Sequence, residues 1–376
     1  MFLERLLFAS GVSVLTAQAA AVPGLVFDRF VTMWLENTDF SSAAADPNLS
    51  ALAKQGIELT NYFALTHPSE PNYVASVGGE YFGMDNDNLN HVPANISTIV
   101  DLFEDKGISW AEYQQDMPST CFTGTAFTNP KSGANDYVRK HNPLIIYDSV
   151  ATNTNRCANV KNFVSFNQDL AANALPQWMF ITPNMTNDGH DTSVTVAGSF
   201  SRSFLTPLLA DPDFNTARTL IVLTFDENES SSQGNRVRTI LLGGAIPASL
   251  VGTTDSNFYT HYSLIATLEA NWGLHTLGRY DVGANVFSFV AAVSGDTVRT
   301  TSVNSVKLNG SYPGLFNSAK KVPVPPPNTS LTINGRTVLP AIVSSWGSAA
   351  FQKCTPYSGQ LVPNFSGSPP IRPAGC

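Results

Sequence analysis

Charged side chains are scarce in this chain, at 13% of its 376 residues. Its 21 lysines and arginines fall short of its 29 acidic residues, giving a formal net charge of -8. A nucleic-acid backbone is bound by clustered Lys and Arg, so no nucleic-acid-binding face is expected. Long apolar runs are missing as well. The stretch from Leu6 to Leu15 is interrupted by Ser10 and Ser13, and it is shorter than the roughly 20 residues that span a bilayer. No transmembrane segment is expected. Cysteine is limited to Cys121, Cys157, Cys354 and Cys376, and no two of them stand in the close spacing of a zinc site.

What is present points to export. Arg5 precedes the apolar stretch, and Ala17-Gln18-Ala19 supplies small residues for cleavage, so residues 1–19 read as a signal peptide and the mature chain as secreted and extracellular. In that compartment the four cysteines are expected to form two disulfides. Three pairings are formally possible, and the close spacings favour Cys121 with Cys157 and Cys354 with Cys376. Glycan acceptor sequons occur at Asn48, Asn95, Asn184, Asn228, Asn309, Asn328 and Asn364. Asn184 and Asn228 adjoin residues with chemical roles, where a sugar would crowd the site, which leaves Asn48, Asn95, Asn309, Asn328 and Asn364 as glycosylation candidates.

Hydrophobic residues make up 43% of the chain, enough for a sizeable core. Val26 to Leu35 is a nearly continuous apolar run with the composition of a buried strand. Asp46-Pro47 has the form of an N-cap followed by proline in the first helical turn, and Gly56 closes that helix before a strand from Ile57 to Leu65. A helix from about Ser97 to Lys106 stops at Gly107. Strands are expected at Ile108 to Tyr113, Gln177 to Thr182, Thr219 to Phe225 and Val237 to Leu242, and a helix at Tyr262 to Trp272 with Gly273 as its stop. Strand and helix in alternation predict an α/β fold, a three-layer sandwich with a mostly parallel central sheet. The alternation fades after about Ala291, and Val322 to Pro327 is a polyproline-like connector. Residues 20–300 are therefore read as the catalytic domain, and 301–376 as a Pro/Ser/Gly-rich appendage packed on it and strapped by Cys354 and Cys376.

In such sheets functional side chains collect beyond the carboxyl ends of the strands. The first strand ends in Glu36-Asn37, and the strand before residue 226 ends in Asp226-Glu227. Another leads to Asn187-Asp188-Gly189-His190-Asp191, and the second strand runs into His67-Pro68-Ser69-Glu70. Carboxylates following buried strands repel one another unless a cation or proton stands between them. Glu36, Asn37, Asp226 and Glu227 form an oxygen-rich donor set suited to one divalent ion, Ca²⁺, Mg²⁺ or Mn²⁺, with Ser69 as a further ligand. Ser69 is expected at the N-cap of a helix, where backbone N–H groups favour a phosphate and a nearby metal activates the hydroxyl as a nucleophile. His190 and Asp191 are candidates for binding a phosphoryl oxygen or protonating the leaving alcohol, with His67 as a weaker candidate. His261 is read equally as a ligand or part of a helix start. His91, His141 and His275 show no supporting pattern and are read as structural or surface residues.

Five segments, Glu36-Asn37-Thr38-Asp39-Phe40, His67 to Tyr73, Pro183-Asn184 with Asn187 to Asp191, Thr224 to Asn228 and His261-Tyr262-Ser263, resemble the phosphoesterase family of fungal secreted acid phosphatases and bacterial phospholipases C, within the alkaline-phosphatase-like superfamily. The resemblance runs in order over roughly residues 26 to 290. It implies an alkaline-phosphatase-like fold, a phosphoserine intermediate on Ser69, one metal held by Glu36, Asn37, Ser69, Asp226 and Glu227, and service of the phosphate by His190. The expected activity is hydrolysis of small phosphate monoesters, as in an acid phosphatase. Alternatives are a phospholipase C-type phosphodiesterase, a glycosidase using Glu36 and Glu227, which would need no Ser69, and a non-catalytic secreted binding protein.

Overall fold

The computed structural model describes residues 21–232, 234–301, 308–363 and 376. The expected signal peptide and Asn364 lie outside them. Eight strands build the central sheet: β1 (Arg29–Leu35), β2 (Ile57–Leu59), β3 (Trp110–Gln114), β4 (Val160–Asn162), β5 (Trp178–Thr182), β6 (Thr219–Phe225), β7 (Thr239–Leu242) and β8 (Thr253–Asp255). Their spatial order is β8-β2-β7-β6-β1-β5-β3-β4. Every neighbouring pair is parallel except the two made by β7, which runs antiparallel to β2 and to β6.

Strands β3, β5 and β6 are buried at every residue and β1 at all but its first, as apolar runs without polar alternation require when both faces are covered. Two groups of helices cover them. Helix α1 (Pro47–Ala53) packs on α5 (Val194–Ala210), while α2 (Ser69–Gly78) packs on α3 (Ile99–Lys106) and α6 (Tyr262–Trp272); α4 (Phe163–Ala171) flanks the β3–β4 edge. The local signals act as physics demands. The Asp46 carboxylate accepts from the amides of Asn48 and Leu49 and caps α1, and Gly107 and Gly273 close α3 and α6 in the left-handed conformation.

Three expectations need correction. The strand from Ile57 to Leu65 is broken: Ile57–Leu59 joins the main sheet, whereas Tyr62–Phe63 pairs with Tyr259–Thr260 in a separate ribbon. A turn at Thr60-Asn61 separates them, so the apolar run serves two sheets. Helix α1 ends at Ala53 with Lys54 as its cap, ahead of Gly56. Ser69 is the first residue of α2 and not its cap; Pro68 holds the cap position and makes no side-chain cap bond, which leaves the serine hydroxyl free of that task.

Both expected disulfides form, Cys121–Cys157 and Cys354–Cys376. The tail does more than lie on the surface. Tyr312 and Tyr357 donate their phenol hydroxyls to the buried carboxylate of Glu80, just past the end of α2, and the Asn309 amide bonds the Leu65 carbonyl at 3.0 Å. Among the described residues, no helix is long and apolar enough to cross a membrane.

Candidate active site

Register builds the site. Leu35 of β1 stands opposite Phe225 of β6, and the Asp226 amide bonds the Leu35 carbonyl at 3.0 Å, so the next residues, Glu36 and Asp226, leave the sheet side by side. Strand β5 ends beside them, and the loop beyond it returns: the Glu36 amide donates to the Asp188 carbonyl at 2.9 Å. That approach needs Gly189, whose φ is 106°; a Cβ there would lie 3.3 Å from the Glu36 carbonyl oxygen. The start of α2 then brings Ser69 over this edge.

Glu36, Ser69, Asp188 and Asp226 are fully or almost fully buried, and Glu227 is 3% exposed. The Ser69 hydroxyl donates to Glu36 Oε2 at 3.1 Å. It is also a hydrogen-bonding neighbour of Asp226 and Glu227, which lowers both carboxyls against the larger upward push of burial. Tyr73 donates its hydroxyl to Glu36 Oε1 at 2.5 Å. Burial first, and then Asp226, drives the Glu36 carboxyl far above its ordinary value; burial and Glu227 do the same to Asp226, and burial and Glu36 to Asp188. Glu227 is pushed up to about 9, by burial and then Asp87. So many acids in one dry space hold their negative charge poorly without a compensating cation.

The donor atoms fit such a cation. The Asn37 amide points its oxygen at two others, 3.0 Å from Asp226 Oδ1 and 2.9 Å from Glu36 Oε2, an arrangement resolved either by turning the amide over or by a cation among the three oxygens. Asp226 Oδ2 is buried without a hydrogen-bond partner. The structure thus gathers Glu36, Asn37, Ser69, Asp226 and Glu227 at one place. A second donor group shares Glu36: one ligand atom each of Glu36, His141 and His190 lies within 4.8 Å of the others.

His141, read from the sequence as structural or surface, belongs to the site. Its ring is buried, stacks on Tyr73 at 5.2 Å, and places Nε2 3.2 Å from Glu36 Oε1 with no hydrogen-bond partner. Burial, then Lys140 and His190, holds its pKa well below the usual histidine range, so the ring is neutral and able to coordinate. It ends a single turn of 3-10 helix, Arg139–His141, in a loop with no periodicity, and only the Lys140-His141 pair in a charge-poor chain marks it. Tyr73, Lys140 and Asp87 were likewise missed as site residues.

The other expected residues fall in distinct places. His190 bonds Asp191 Oδ1 through Nδ1 at 2.8 Å, which fixes Nε2 as its remaining atom. His67 lies between Glu227 Oε2 at 2.9 Å and Asn228 Oδ1 at 3.1 Å, both ring nitrogens engaged, and burial lowers its pKa. His261 stands behind the site, with Nδ1 3.1 Å from the Tyr62 hydroxyl and Nε2 2.6 Å from the Asp226 carbonyl; it braces the backbone and makes no cap bond. Of the sequon residues, Asn95 is exposed and Asn48 partly so, whereas the Asn309 and Asn328 amide nitrogens donate to the Ser231 and Tyr357 carbonyls.

A buried serine hydroxyl thus stands among acids at the carboxyl edge of the mostly parallel sheet of an α/β protein. The chain belongs to the Phosphoesterase family, whose model matches residues 28–275. It is 56% identical over 293 residues to a phosphate-repressible acid phosphatase of Penicillium chrysogenum, covering 78% of this chain and 70% of that one. It is 52% identical over 329 residues to a probable acid phosphatase of Kluyveromyces lactis, covering 86% and 77%. Among solved structures, a Vibrio parahaemolyticus protein in the alkaline phosphatase superfamily aligns at a TM-score of 0.43 and 9% identity, over 64% of this chain and 65% of that one.

Proposed function

We propose that this chain is a secreted acid phosphatase that hydrolyses phosphate monoesters through a phosphoserine on Ser69, with one divalent metal held by Glu36, Asn37, Ser69, Asp226 and Glu227. The observation that carries the reading is the buried Ser69 hydroxyl, bonded to Glu36 Oε2 at 3.1 Å at the edge where Asn37 and Asp226 turn oxygens toward each other. Membership of the family and the acid phosphatases among its relatives support it further. When bound, a divalent cation favours the ionised hydroxyl and neutralises charge on the phosphoryl oxygens.

The chain's own residues supply the rest. Glu36 Oε2 accepts from the Ser69 hydroxyl, and Tyr73 donates to the other oxygen of that carboxylate, beside which His141 Nε2 stands at 3.2 Å. Ser69 attacks phosphorus as its proton passes to Glu36 Oε2, and the ester bond to the alcohol breaks. His190, steadied through Nδ1 by Asp191, gives a proton from Nε2 to the departing alcohol oxygen. In the second half His190 takes a proton from water, which attacks the phosphoserine and releases phosphate, and the Ser69 oxygen recovers its proton from Glu36.

The test is hydrolysis of an aryl monophosphate by purified protein. Ser69→Ala should lower kcat by about a thousandfold or more while keeping the thermal transition of the parent, and a chelator should silence the parent reversibly. Near-normal turnover by the folded Ser69→Ala protein would remove Ser69 from the mechanism.

A further inference from the structure

Asp87, on the loop that follows α2, and Lys140, in the 3-10 turn Arg139–His141, form a pair the mechanism leaves unused. Asp87 Oδ1 accepts from the backbone N–H of Glu70, the neighbour of Ser69, at 3.0 Å, and Asp87 Oδ2 accepts from Lys140 Nζ at 2.9 Å. Both side chains are about a quarter exposed, at 25% and 22%. Inward, the Lys140 charge is felt by Glu36, Asp188 and Glu227, each of whose carboxyls it lowers. Outward, the same two residues wall a cavity of about 290 Å³. Asn88 and Leu89 continue that wall, and Thr125 and Asn135 face it from the hairpin made by Ala126–Thr128 and Asn135–Val138. Arg139 commits its guanidinium to the carbonyls of Asn90 and Ile145, so Lys140 is the cation that the inner wall offers a ligand.

We infer that this cavity is the subsite for the alcohol half of the ester and that it takes a hydroxyl-rich alcohol, that is, a sugar or polyol monophosphate. The inference rests on the phosphatase reading above. Asp87 holds the backbone N–H next to Ser69, and Lys140 adjoins His141, whose Nε2 stands 3.2 Å from Glu36 Oε1, so the inner wall borders the surroundings of the nucleophile and the subsite lies on that side of the ester. That wall sets an ammonium donor beside a carboxylate acceptor, flanked by two amides and a hydroxyl. Neighbouring hydroxyls of a sugar can accept from Lys140 and donate to Asp87 without breaking the pair. An aryl ring would cover the same charges and return no hydrogen bond, which costs binding. A single sugar ring suits the cavity's volume, whereas the paired acyl chains of a phospholipid do not.

The experiment compares kcat/KM for glucose 6-phosphate and phenyl phosphate on the full chain, its Lys140→Met variant and its Asn135→Leu variant. Asn135 lies on the exposed hairpin, so its replacement leaves the core intact. The subsite requires the sugar-to-aryl ratio to fall by about tenfold or more in Lys140→Met and by about threefold or more in Asn135→Leu, as expected when a built hydrogen-bonding site loses a partner. Lys140→Arg, which retains charge and donors, should restore most of the ratio. A ratio unchanged in the folded variants overturns the subsite while leaving the phosphatase reading standing. If Lys140→Met does not fold, Asn135→Leu decides by the same criterion. Absence of turnover on both esters by the parent would instead sink the phosphatase reading, and the subsite with it.

Discussion

Glu36 divides its two carboxylate oxygens between two sets of neighbours. Oε2 faces the Ser69 hydroxyl and the Asn37 amide, and Oε1 faces Tyr73 and His141. Removing a support on the Oε1 side should therefore loosen the other. We expect His141→Ala to lower kcat/KM on an aryl phosphate by about ten- to a hundredfold, the usual cost of losing a group that orients a metal-binding carboxylate. Metal analysis should record a matching fall in bound ion; unchanged activity and metal content would confine His141 to packing. Asp226→Asn keeps the shape and removes one charge, so it should weaken metal retention while the disulfides and fold persist. At this scale the residues directly after apolar runs were legible in the sequence, because a strand's end is visible as the end of its hydrophobic stretch. Glu36 and Asp226 are of that kind. His141, Lys140 and Asp87 come from irregular loops whose course is set by tertiary contacts, and no local period announces them.

Among the elements, α2 is held at both ends by distant chain. Its first turn bonds Asp87, and the loop around Asp87 is tied to the tail, where the Ser318 amide donates to Asp85 Oδ1 at 2.9 Å. Beyond its last turn Glu80 is buried and takes the hydroxyls of Tyr312 and Tyr357 as well as the amides of Tyr81 and Phe82. We therefore propose that the segment after about residue 300 is part of the catalytic unit's scaffold. Tyr357→Phe should cost about 1 to 3 kcal/mol of stability by leaving a buried carboxylate short of a donor, measured by denaturant unfolding. Deletion of the tail should cost more, and a deletion variant that folds with full activity would contradict this account. The regular elements were legible: Thr219–Phe225 and Tyr262–Trp272 fall where the apolar patterns end. The antiparallel direction of β7 was not, since a continuous buried run looks the same in either direction. Nor was the role of the tail, whose buried residues Tyr312, Val338, Leu339, Ile342 and Tyr357 and polar bonds to Glu80 and Asp85 are scattered over mostly irregular chain.

The molecule as a whole concentrates acid in its interior, and this sets how its stability responds to pH. In metal-depleted protein, Glu227 keeps its proton up to about 9 in the folded state against 4.5 as the ordinary value. Between those values the folded chain binds more protons than the unfolded chain, so stability falls as pH rises, by up to about 1.4 kcal/mol per pH unit for this one group. Chelated protein should melt at a higher temperature near pH 5 than near pH 8. Metal should narrow that gap, because it replaces the proton as the compensating charge. An equal or larger gap in the metal-loaded protein would count against the acidic cluster as the metal site.

The central claim is that Ser69 carries the phosphoryl group between the two halves of the reaction. Rapid acid quenching of the protein during turnover of a phosphate monoester, followed by mass spectrometry of its peptides, tests it most directly. The account predicts a phosphoryl group on the peptide bearing Ser69, absent from Ser69→Ala protein. Turnover at full rate with no phosphorylated peptide, or with the label on another residue, would contradict it.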